Sequence, residues 1–177
     1  MNLIFRLIWM LISARFGSRR ALMDEGRLAY RCWPTDLDMN IHMTNSRYHS
    51  FMDLSRVELM VRNGAWARIR KAGLYPVLGS SSIRFRRPIR PLQKFEVTAR
   101  VLSWDDRWIY IAHKLIIKGG PKGDEVAAVC VVKTTFLSEQ GRVPTDQLMV
   151  IMGYDGPKPD AGDLMAKKDA LDAMLTA

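Results

Sequence analysis

Three polar side chains stand at alternate positions in one short stretch of the chain: Asp38, Asn40 and His42. Each type has a use in acyl-transfer chemistry. A carboxylate serves as general base or nucleophile, an amide and an imidazole orient water or a carbonyl, and a backbone N–H receives a developing oxyanion. If the loop is extended, side chains two apart project to one side, and the three meet. A helix is expected from Asn45, so unpaired N–H groups and a positive dipole end follow the trio directly. The set suits hydrolysis of a thioester. A plainer role fits the same residues one by one: Asp36 and Asp38 as turn residues, Thr44 or Asn45 as an N-cap.

The elements that must position this loop can be read from hydrophobic period and turn chemistry. Leu28 to Trp33 predicts a first strand, and 34–44 a loop. A helix is expected from Asn45 to Asn63, stopped by Asn63-Gly64, with Tyr48, Phe51, Met52, Leu59 and Met60 on its apolar face and small Ser55 among them. Extended segments follow at 77–88, 95–104, 108–118 and 126–137, the last rich in Val and Thr. Asp105-Asp106-Arg107 and Gly119-Gly120-Pro121-Lys122-Gly123 supply tight connections. One long helix and about four antiparallel strands bury their apolar surfaces most economically if the sheet curves around the helix, an α+β architecture. The other sheet face then needs cover or a partner strand.

The first fourteen residues, MNLIFRLIWMLISA, are almost wholly apolar, and Arg6 interrupts them. About twenty apolar residues are needed to span a bilayer, so the run is too short for an ordinary transmembrane helix. Three readings fit it: a helix in a membrane interface, a cover over an apolar surface of its own domain or dimer, or a signal peptide. The organisation expected is an apolar helical segment over 1–22, the main domain over 23–157 and a short amphipathic tail helix over 158–177. Residues 1–20 are expected to attach to a surface, either a membrane or the domain itself, rather than to span a bilayer.

The composition is that of a folded soluble domain, 48% hydrophobic and 25% charged. Its formal charge of +9 favours anionic partners. The densest basic run is Arg84, Arg86, Arg87, Arg90 and Lys94; Arg62, Arg68, Arg70 and Lys71 add a second group. Both fit solvated faces or docking of phosphates or an acidic carrier protein. Neither carries the interleaved aromatic residues of a nucleic-acid surface. The two cysteines, Cys32 and Cys130, have no zinc-ligand spacing and read as small buried hydrophobes in a reducing compartment. No metal site or redox cofactor is expected, and the cytoplasm, with membrane association through the N-terminal segment, is the expected location. His49 and His113 read as structural or exposed. Glu58 on the helix reads as solvated or salt-bridged, and as a reserve catalytic carboxylate.

The stretch Asp36-Leu-Asp-Met-Asn-Ile-His-Met-Thr-Asn-Ser-Arg-Tyr48 resembles the loop-to-helix motif of hotdog-fold thioesterases. It is nearest the plant acyl-ACP thioesterases, D-x-D-x-N-x-H-V-N-N-x-x-Y, and similar to the 4-hydroxybenzoyl-CoA type and the animal thioesterase-superfamily branch. The likeness continues through residues 81–97 and covers about 27–137. It implies a hotdog fold, an antiparallel sheet wrapped around one long central helix, assembled as a homodimer or dimer of dimers with sites across the interface. It implies an acyl-CoA or acyl-ACP thioesterase. Asp38 falls on the catalytic carboxylate of the benzoyl-CoA type, and Asn40 and His42 on the catalytic amide and imidazole of the acyl-ACP type. The backbone N–H of Asn45 falls where the thioester carbonyl is polarised, and Tyr48, the last motif residue, is expected to bind substrate. Ile41 stands where many bacterial members have Gly, and Thr44 replaces the first Asn of the usual pair. Hydratases of this fold that act on enoyl-CoA carry D-x-N-P-x-H, a different spacing. The alternative is a non-catalytic acyl-thioester-binding or membrane-associated hotdog protein.

Overall fold

The computed structural model describes residues 3–120, 123–160 and 162–163. A helix, α1 (Leu3–Phe16), precedes strand β1 (Gly26–Arg31). A single 3-10 turn (Pro34–Asp36) and a loop lead into the long helix α2 (Asn45–Arg62), followed by a short α3 (Ala65–Lys71). Strands β2 (Tyr75–Phe85), β3 (Lys94–Trp104), β4 (Ile109–Gly120), β5 (Gly123–Ser138) and a two-residue β6 (Gly141–Arg142) come next, and α4 (Thr145–Met152) closes the order. The sheet runs β1-β3-β4-β5-β2, antiparallel throughout, with β6 on β5. This is the helix-in-sheet architecture expected from the sequence.

The central helix ends where its chemistry says it should: Asn63 closes it, and Gly64 takes φ +77°, a left-handed value that glycine adopts without a Cβ penalty. Its inward face carries Tyr48, Phe51, Met52, Ser55 and Leu59, all buried. Phe51 sits edge-on to Phe95 of β3 at 4.9 Å and 4.8 Å from Tyr30 of β1. Burying a side chain of this size stabilises by about 1.5–3 kcal/mol. Cys32 and Cys130 are buried free thiols. At β2, a Cβ on Gly79 would lie 2.3 Å from the Trp108 ring, so only glycine lets that ring lie against the strand.

Two parts differ from the sequence expectation. Helices α3 and α4 were not anticipated; at seven and eight residues they are too short to show a clear helical period, and they hold by docking on each other, with Arg68 donating to the Met152 carbonyl at 2.6 Å. Met60 is only partly buried, and the buried Leu54 takes a place in the core. The expected tail helix falls largely on residues 164–177, outside the described residues.

Helix and sheet are also clasped by a buried polar contact. His113 of β4 lies 3.0 Å from the Thr98 carbonyl through Nδ1 and 3.0 Å from an Arg56 guanidinium nitrogen through Nε2. A neutral ring protonated at Nδ1 satisfies both partners. Burial, with Arg56 and more weakly His49 nearby, pushes His113 down to about 3. The unfolded group titrates near 6.5, so between those values the unfolded chain binds a proton that the folded chain refuses. Stability should therefore fall as the pH drops from about 6.5 towards about 3, by up to about 1.4 kcal/mol per pH unit from this group. Urea denaturation at several pH values between about 6.5 and 5 checks it. A slope as steep in His113→Gln as in the unmodified protein would show that other groups are responsible.

Candidate functional site

The loop entering α2 is built on a buried carboxylate. Asp36 is wholly inaccessible. It accepts the Trp33 N–H at 2.9 Å and two hydrogen bonds from Arg6 of α1 at 2.9 and 2.7 Å, and Arg47 of α2 comes within 3.5 Å. The sequence offered Asp36 as a turn residue. The structure corrects this: two cations from separate helices converge on it, making it the anchor that ties α1, the loop and α2 together.

The loop beyond it is not extended. The Asp38 N–H bonds to the His42 carbonyl at 2.9 Å, the Ile41 N–H to the Asp38 carbonyl at 3.1 Å, and Leu37 bridges to Met43 beneath them. The chain reverses here, and Ile41 takes φ +58° to close the reversal. For a β-branched residue that is strained, of order 1–3 kcal/mol. Reversal brings together two of the three side chains that extension would have aligned. Asp38 Oδ2 and His42 Nδ1 face each other across the neck at 3.4 Å, both about one-third exposed. Asn40 lies on the exposed tip, where its N–H donates to Asp38 Oδ1 at 2.9 Å.

The start of α2 is set by two backbone bonds, Met43 N–H to the Ile89 carbonyl at 2.8 Å and Thr44 N–H to the Asp36 carbonyl at 2.9 Å. Thr44 is the N-cap residue, and its side chain makes no capping bond to the first N–H groups of the helix. Tyr48, one turn in, is buried, edge-on to Phe85 at 5.0 Å, and receives a hydrogen bond from the Ile89 backbone. Burial raises its pKa.

Glu58 is salt-bridged as expected but not solvated. Its Oε1 accepts from Arg62 at 3.0 Å, while Oε2 is buried without a hydrogen bond. It lies about 20 Å along the helix axis from Asn45, at the far end from the loop. An apolar cavity of about 270 Å³ opens between the second half of α2 and the sheet, lined by Val57, Met60, Leu78, Val101, Ile111 and Phe136. The ion pair Asp53–Arg56 borders it, about 12 Å along the axis from the helix start.

Sequence reasoning missed Arg6, Arg47 and this cavity. The one available signal was Arg6 itself: a cation inside an apolar run must find a partner when the run is buried.

The fold is that of known hotdog thioesterases. The YbaW probable thioesterase from Escherichia coli superposes with a TM-score of 0.64 at 16% identity, over 72% of this chain and 96% of that one. A 4-hydroxybenzoyl CoA thioesterase mutant complexed with 4-hydroxybenzoyl CoA superposes with a TM-score of 0.63 at 12% identity, over 73% and 99%. Among curated proteins, the thioesterase lcsJ of Purpureocillium lilacinum is 27% identical over 161 residues, 79% of this chain and 52% of that protein. Protein THEM6 of Xenopus laevis is 35% identical over 96 residues, 54% and 45%. The chain thus spans about half the length of these two relatives. A family model for the thioesterase-like superfamily matches residues 32–170, from the loop through strands β2 to β6, and the chain belongs to that superfamily.

Proposed function

We propose that this protein hydrolyses an acyl-CoA or acyl-ACP thioester to the free acid and thiol. The observation that carries the reading is the facing pair Asp38–His42 beside an uncapped helix start. The Asn45 N–H polarises the thioester carbonyl and receives the oxyanion as the carbon becomes tetrahedral. Asp38 takes the proton of an attacking water, or attacks that carbon itself to form a mixed anhydride that water then hydrolyses; in either case the C–S bond breaks and the leaving thiolate takes up a proton to become the free thiol. His42 and Asn40 orient the water or the carbonyl, and the acyl group extends along α2 towards Tyr48 and the apolar cavity. No metal or redox step is needed. Relatives and structural neighbours that are named as thioesterases favour the reading.

A panel of acyl-CoA and acyl-ACP substrates, followed by free thiol release, tests it and ranks chain length and carrier. Silence across the panel, with tight acyl-CoA binding, would leave the alternative of an acyl-binding protein. Two buried free cysteines fit a reducing compartment, and we place the protein in the cytoplasm.

The assembly we expect is a homodimer through β2. This eleven-residue strand lies at the end of the sheet order, with Tyr75, Leu78 and Phe85 exposed along it. Long exposed edges invite pairing. Sedimentation at micromolar concentration should give a dimer, or a dimer of dimers, and a monomer would remove the assembly claim.

A further inference from the structure

Helix α1 has two apolar faces and only one is used. Leu3, Leu7, Met10 and Ala14 pack inward at heptad-like spacing, Met10 and Ala14 fully buried. The outer face is two adjacent rows at four-residue spacing: Ile4, Ile8, Ile12 and Phe16, and beside them Phe5 and Trp9. All six are exposed, Phe5, Trp9 and Phe16 by 77%, 71% and 85%. Six large apolar side chains on one ridge exceed the scattered exposure normal for a soluble surface.

The charges around the ridge identify what would cover it. Residues 1–23 contain four arginines and no acidic residue. Arg6 is consumed by Asp36, and Arg20 donates to the Glu25 carbonyl. Arg15 and Arg19 are exposed at the C-terminal end of the ridge. An apolar helix face bearing Trp and Phe, flanked by unopposed arginines, matches a helix lying in the plane of an anionic lipid interface. Fourteen residues cannot span a bilayer, and no described helix is long and apolar enough to do so.

The helix is fixed relative to the site. Arg6, near its start, holds Asp36 at the base of the site loop, and Ser18, just past its end, is held by Arg62 at the end of α2. The two helices therefore run alongside each other in the same direction, and the start of α1 lies at the same end of the molecule as the loop. That loop also presents apolar tips: Met39 is 99% and Ile41 67% exposed, and Trp33, just before the loop, and Leu92, whose N–H bonds to the Cys32 carbonyl, are exposed as well.

We propose that α1 docks its outer face on an anionic lipid surface and holds the Asp38–His42 loop beside it, so that membrane-associated acyl thioesters are the substrates. The docking stands on α1 alone; the substrate class rests on the thioesterase reading above.

The test is sedimentation of the full chain with vesicles, which needs no activity. Vesicles of phosphatidylcholine with phosphatidylglycerol should bind the protein, and phosphatidylcholine alone more weakly. Arg15→Gln with Arg19→Gln should weaken binding to the anionic vesicles about 25-fold, about fivefold per arginine, and leave neutral vesicles unaffected. Phe5→Ser, Trp9→Ser and Phe16→Ser together should abolish binding to both, and their circular dichroism should be unchanged because the three side chains leave the core intact. With anionic vesicles present, the unmodified protein should hydrolyse long-chain acyl-CoA faster than the triple variant, while both turn over short-chain substrates equally. No vesicle binding by the unmodified protein, or undiminished binding by the triple variant, overturns the docking. Self-association that the triple variant abolishes, without vesicle binding, would assign the ridge to a second copy and overturn it too. Vesicle binding in a protein silent on every thioester would retain the docking and refute the thioesterase reading.

Discussion

Asp38→Asn should lower kcat by about 100-fold to 10,000-fold, the range expected when a general base or nucleophile is removed. The substitution nearly preserves shape. An Asn side chain can still accept the Asn40 N–H that Asp38 Oδ1 accepts now, so the turn that presents the pair should persist. Asp38 is about one-third exposed and touches His42 at 3.4 Å, so little of the core depends on its charge. Circular dichroism and sedimentation should therefore match the unmodified protein while thiol release collapses. His42→Ala should leave a measurable remainder, because orientation by the imidazole is supplemented by the helix N–H groups. The variant to run alongside is Asp53→Asn, which removes a carboxylate bordering the apolar cavity. Near-normal turnover by Asp38→Asn, with collapse in Asp53→Asn or Glu58→Gln, would move the catalytic carboxylate onto α2.

Asp36→Asn, two residues away, should act on stability instead. The carboxylate is wholly buried and faces Arg6 and Arg47, whose side chains are also mostly buried. Removing its charge leaves two guanidinium groups without their counter-ion, and breaking a buried pair in this way costs about 3–5 kcal/mol. For a chain of this size that corresponds to a fall in Tm of roughly 6–20 °C. Activity should fall as well, indirectly, because the Thr44 N–H bonds to the Asp36 carbonyl and the start of α2 is set there. Arg6→Gln should be partly non-additive with Asp36→Asn, since one interaction is lost in both. A loss below about 1 kcal/mol in thermal or urea denaturation would return Asp36 to the status of a turn residue.

The contrast between Asp36 and Asp38 marks how far local sequence reaches. Hydrophobic period, the Asn63-Gly64 stop and the tight connections are local properties, and they determined the long helix, the four main strands and the curved antiparallel sheet. The alternation of Asp38, Asn40 and His42 beside a helix start was equally legible, because candidate chemistry is written in residue types. The path of the loop was not. Its reversal depends on Ile41 accepting φ +58°, a conformation its own propensity opposes and the surrounding bonds impose. Nor could sequence separate two aspartates in similar settings. Asp36 differs from Asp38 only because Arg6, thirty residues earlier, and Arg47, on the next helix, reach it in three dimensions. The two faces of α1 follow the same rule. Composition showed an apolar segment too short to span a bilayer; which residues pack on α2 and which stay bare is decided by the contacts at Asp36 and Arg62 that fix the helix's rotation. Short-range pattern specifies which elements form, and long-range charge pairing and packing decide which way each one faces.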